Sequence, residues 1–144
     1  MPKSHSEDFF PEMSNLKDEQ LHILRGHLLI EKKLRELIDL KVERPDALSE
    51  AKLSFHQILC ITEALYWEND SDRLWQSIRK LNNIRNSFSH QLEPKKYDDI
   101  INEFLDICGA KKPYEFSTKS TLVLAMNSIY CNLDKYVSTF IKIR

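Results

Sequence analysis

The segment Arg85-Asn86-Ser87-Phe88-Ser89-His90 gathers the residue types best suited to chemistry. A histidine titrates near neutral pH and can move a proton, while a guanidinium holds a phosphate and gains as negative charge builds on it. Asn86 adds a neutral hydrogen bond able to orient either the phosphate or the histidine. These are the requirements of metal-free RNA cleavage, in which the ribose 2′-hydroxyl is the nucleophile. Arg79, Asn82 and Ser89 are secondary candidates for RNA contact. From Trp75 to Leu92 there are basic residues and a histidine but no acid, a stretch that should welcome a phosphate.

A helix must position this set. At about 100° per residue, Leu74, Ile78, Leu81, Ile84 and Phe88 fall within an arc of roughly 120° that should face a core. Arg79, Asn82, Asn83, Arg85, Asn86, Ser89 and His90 share an arc of about 160° at the same increment. The helix is expected to open near Ser71 and to run to about Leu92, where Pro94 ends it. A polar outer face is also what any amphipathic helix carries, and His90 could simply complement the helix dipole.

Only two glycines, Gly26 and Gly109, occur in the chain, far too few for an all-β fold of this length. The expected class is all-α, a bundle of about five helices. The first should be capped near Ser14 or Asn15, carry Asp18 and Glu19 in its first turn, and repeat Leu21, Leu24, Leu28, Leu34, Leu37 and Ile38 until Arg44-Pro45. Gly26 inside it suits a close approach by another helix. A second helix should start from Asp46 or Ser49 and run through Leu53, Phe55, Ile58, Leu59, Ile61, Thr62 and Leu65. A fourth should span Lys95 to Cys108, with Gly109 capping its end. The last should start near Ser117, with Leu122, Met126, Ile129, Leu133, Tyr136 and Phe140 forming a packing seam.

The chain has 144 residues, 42% of them hydrophobic and 30% charged, which fits one folded domain over residues 16–144 with a tail over 1–15. No stretch approaches the ~20 apolar residues of a membrane span, and the amino terminus lacks a secretory pattern, so no membrane contact and a cytoplasmic location are expected. A net charge of −1 gives no bulk attraction to a polyanion, so RNA contact must come from a local patch. Cys60, Cys108 and Cys131 are expected to be reduced core residues. His5, His22, His27 and His56 make no metal-ligand spacing and no glycine-rich phosphate loop is present, so neither metal nor cofactor is expected. Ser49-Glu50-Ala51-Lys52 matches S-x-x-K without the companion motifs of acyl enzymes and reads as a helix start.

Ile84-Arg85-Asn86-Ser87-Phe88-Ser89-His90 resembles the R-x4-6-H signature of the HEPN superfamily. Gly26-His27-Leu28-Leu29-Ile30-Glu31, Leu53-Ser54-Phe55 and the stretch from Trp75 to Asn86 are similar to its mannitol-repressor-like and related bacterial branches. The resemblance covers roughly Gly26 to His90. It implies a helical bundle that dimerises so that two motifs face one cleft. Many such proteins are metal-independent endoribonucleases of toxin-antitoxin, phage-defence or RNA-processing systems, and some are catalytically silent. Carried over by position, Arg85 would bind the scissile phosphate, Asn86 would assist, and His90 would be the general acid or base. One chain supplies one such histidine, whereas transesterification uses both an acid and a base, so a symmetric homodimer would complete the site. An antitoxin protein would be the natural inhibitor. Glu31 would orient a motif residue or form a surface ion pair. The alternative function is a non-catalytic helical regulator or interaction module resembling mannitol repressor, whose polar face contacts a protein.

Overall fold

A computed structural model of the chain describes residues 18–89, 94–110 and 118–143. They form six helices with no strand among them: α1 (Asp18–Lys41), α2 (Pro45–Ser49), α3 (Phe55–Tyr66), α4 (Asp72–Ser87), α5 (Pro94–Cys108) and α6 (Thr118–Ile143). The all-α expectation holds, with the short α2 added to the expected set. The tail over 1–15, including the Ser14 or Asn15 cap, lies outside the described residues.

Helix α1 is the spine, packing along α6 and α3 and touching α4. Its buried stripe is Ile23, Leu24, His27, Ile30, Lys33, Leu34, Leu37 and Ile38. Leu28, expected in that stripe, is instead 40% exposed. Met126 of α6 packs over Gly26: a Cβ there would lie 2.3 Å from Met126 Sδ and 3.4 Å from Met126 Cβ, so the thioether end of Met126, and not the α6 backbone, occupies the space that a side chain would need. Lys33 is buried at the same interface. Burial opposes its charge, but Asp134 at 2.9 Å and Glu36 at 3.0 Å outweigh that, and its pKa is raised.

The expected second helix is two helices. Pro45 starts α2, which none of its residues anchors by full burial. Ser49 is therefore the last residue of α2, with Glu50-Ala51-Lys52 following it rather than starting a helix, and Ser49 Oγ donates to Asp46 O. The chain then restarts at Ser54, whose side chain accepts from Gln57 N while Gln57 Oε1 accepts from Ser54 N, a complete capping box. Phe55, Ile58, Leu59, Thr62 and Tyr66 are buried along α3.

Helix α5 ends as expected: Gly109 adopts φ 71°, and Ala110 N donates to Leu105 O at 2.9 Å, closing the carbonyl end of the helix. The seam of α6 is carried by Leu122, Met126, Ile129 and Leu133, joined by Ala125 and Val137, while Tyr136 and Phe140 are half-buried. Cys60 and Cys131 are exposed, so only Cys108 is even partly a core residue; burial pushes its thiol up to about 11. The three thiols are free. No helix among the described residues is long and apolar enough to cross a membrane.

Candidate functional site

Helix α4 begins where the sequence indicates, after Ser71, and buries Trp75, Ser77, Ile78, Leu81 and Ile84. Trp75 is held by its Nε1 donating to Ser71 Oγ at 3.1 Å and by stacking with Tyr136. These contacts fix the helix, and with it the outer face that carries the candidate residues.

Its other end differs from expectation, because α4 stops at Ser87 rather than near Leu92. Phe88 N donates to Arg85 O and Ser89 N to Asn86 O, both three residues back, which tightens the last turn. Ser87 Oγ donates to Ile84 O at 2.6 Å and Ser89 Oγ to Asn86 O at 2.9 Å. Serine side chains competing for carbonyls in this way favour helix ends over helix interiors. A helical increment of about 100° per residue therefore does not extend to Ser89, which sits exposed in a turn. His90 lies outside the described residues.

Of the expected face, Arg85 and Asn86 are exposed in the last turn of α4, and among the described residues Arg85 makes no ion pair. Arg79 is committed elsewhere. Its Nη2 lies 2.7 Å from Glu63 Oε1, and its Nη1 donates to Glu63 Oε2 at 3.4 Å. The pairing raises the Arg79 pKa. Lys80 likewise pairs with Glu103 of α5. The stretch that looks purely basic in sequence is thus partly neutralised by acids from α3 and α5, and Arg85 is the cation it leaves available.

Asn82 is half-buried and has a partner that sequence spacing does not reveal. At 100° per residue it lies about 40° from buried Ile78, at the edge of the apolar arc. Its Oδ1 is 3.0 Å from Nε2 of His27, which reaches across from α1. An amide oxygen only accepts, so in this orientation the bond forms with the imidazole proton on Nε2. His27 is 5% exposed and stacks on Phe55 with ring centroids 4.0 Å apart. Burial lowers its pKa, the charge of Arg85 adds to that, and the Asn82 bond and Glu31 pull the other way. Arg85, Asn82 and His27 therefore share one neighbourhood, in which a neutral imidazole is favoured. Glu31 forms a surface ion pair with Arg35 at 3.2 Å. The sequence signal for His27 is the repeat Ile23, His27, Ile30, Leu34, Leu37, which the neighbouring repeat through Leu21, Leu24 and Leu28 obscures.

No group of three or more histidine, cysteine, aspartate or glutamate side chains suited to a metal ion occurs among the described residues. No family model, no curated protein and no solved structure matches the chain.

Proposed function

We propose that the chain is a metal-independent endoribonuclease resembling the HEPN superfamily, acting as a homodimer in a toxin-antitoxin or phage-defence setting with an antitoxin protein as its inhibitor. The observation that carries this reading is the exposed Arg85, without an ion pair among the described residues, beside Asn86 in the last turn of α4, just before His90 in the motif they share. Arg85 holds the scissile phosphate and Asn86 orients it. The ribose 2′-oxygen attacks phosphorus, the bond from phosphorus to the 5′-oxygen breaks, and the 2′-proton leaves to a base as the 5′-oxygen gains one from an acid. His90 serves as one of these, and His90 of a second copy serves as the other.

Purified wild-type and His90→Ala protein are incubated with a mixed RNA substrate in chelator without added metal, and the product ends are identified. Products ending in 2′,3′-cyclic phosphate that are absent with His90→Ala are expected. Identical cutting by both proteins would remove His90 from the mechanism.

The pairing of Arg79 with Glu63 and of Lys80 with Glu103 favours a second reading, a helical regulator that contacts protein rather than RNA. Exposed Leu29 and Val123 line a groove of about 320 Å³ between α1 and α6 that suits such contact. Growth arrest on expression, relieved by His90→Ala, separates the nuclease from the regulator, for which both forms are tolerated equally.

A further inference from the structure

We infer that His27 is a positioning residue for the candidate site, holding the Asn82 amide so that its two N–H donors face the phosphate bound by Arg85. The inference rests on the ribonuclease reading above and adds to it two residues from outside the motif.

The geometry restricts both partners. Asn82 Oδ1 lies 3.0 Å from His27 Nε2, and with the imidazole proton on Nε2 this bond holds the amide with its oxygen toward His27. The Nδ2 group is then the end left for a ligand, and it can only donate, as a phosphate oxygen requires. His27 in turn is fixed by the Phe55 ring 4.0 Å away and by burial to 5% exposure. A histidine so enclosed does not reach substrate itself, and its effect passes through Asn82. Three elements meet here, α1 through His27, α3 through Phe55 and α4 through Asn82 and Arg85, so the site is braced by the bundle and not by α4 alone. A half-buried amide near the exposed Arg85 in the last turn of α4 has a use that a surface asparagine lacks: it is already ordered when the anion arrives.

The test is a double-mutant cycle on single-turnover RNA cleavage without metal, using wild type, Asn82→Ala, His27→Phe, His27→Gln and the His27→Phe/Asn82→Ala double variant, each assayed below its measured Tm. Asn82→Ala and His27→Phe should each slow cleavage about tenfold, and the double variant should be no slower than either. His27→Gln, which keeps an N–H toward Asn82, should restore most of the rate lost in His27→Phe. Losses that multiply in the double variant, or a His27→Phe protein that melts earlier yet cleaves at the wild-type rate, would overturn the positioning role while leaving the nuclease standing. A wild-type protein that cuts no RNA overturns the nuclease reading and this inference with it.

Discussion

Around Arg79 and Lys80, helix α4 meets acids, Glu63 from α3 and Glu103 from α5. Less than two turns further on, at Arg85 and Asn86, it meets none that forms an ion pair among the described residues. The residue types are alike at the two places, and their neighbours decide what they can do. A guanidinium already facing a carboxylate has much of its attraction for a phosphate cancelled, whereas one facing solvent keeps it. Counting charge along one helix therefore overstates the anion site, because the compensating acids come from other helices.

The sharpest way to break this contrast is to remove each arginine and measure RNA cleavage. Arg85→Ala should lose on the order of 100-fold or more in rate, as expected for the loss of a donor to the developing charge. Arg79→Ala should change the rate by no more than about threefold. Equal losses would mean that the Glu63 pair opens when RNA binds and that the two turns form one site.

Stability should show the reverse order. Arg79→Ala leaves the Glu63 carboxylate, which is only 24% exposed, without its cation. The arginine side chain is itself 37% exposed, so solvent screening limits the cost to about 1 kcal/mol. Arg85→Ala should stay within about 0.5 kcal/mol of wild type, as for surface positions without a partner. Urea melts of the two variants decide the matter, and a larger cost at Arg85 would reveal a contact there.

How far the fold and the site are legible in the sequence depends on which interactions lie between near neighbours along the chain. The start of α4 at Ser71 and the Gly109 cap follow from local chemistry and can be read directly. So, in principle, can the capping box at Ser54 and Gln57, although its S-x-x-Q spacing competes with helix starts at Asp46 and Ser49. The early stop of α4 has its signal too, in serines on either side of Phe88, but Pro94 is the stronger breaker and draws the expected boundary toward itself. Arg79 with Glu63 lies 16 residues apart and His27 with Asn82 lies 55 apart. No periodicity encodes which polar side chains two packed helices will oppose, so membership of the candidate site can be read only from the fold.

His27 offers a pH test of the buried side of the site. The charged groups near it are Arg85 on α4 and Glu31 on α1, with Phe55 on α3 and Asn82 completing its surroundings. Its folded-state pKa lies below the ordinary 6.5. The unfolded chain therefore takes up the proton more readily, so its contribution to stability is present in full above that value and is lost as pH falls through the folded-state pKa. Melting temperature measured from pH 7.5 downward should fall less steeply in His27→Gln than in wild type. Parallel curves would mean that His27 titrates normally and that its burial carries no protonation cost.

The smallest effect is expected at Lys80. Its pair with Glu103 joins α4 to α5, but the glutamate side chain is 59% exposed, so water and salt screen most of the attraction. Lys80→Ala should cost about 0.5 kcal/mol or less, and 1 M salt should erase the difference. Glu103→Gln sharpens the comparison with Arg85 further, since it frees Lys80 without removing it. If cations on α4 are kept from RNA only by their internal partners, Glu103→Gln should steepen the salt dependence of RNA affinity by about 0.7 in the log–log slope, the value for one further phosphate neutralised on a single strand. An unchanged slope would place Lys80 beyond the reach of the RNA, leaving the last turn of α4 as the phosphate-binding end of the helix.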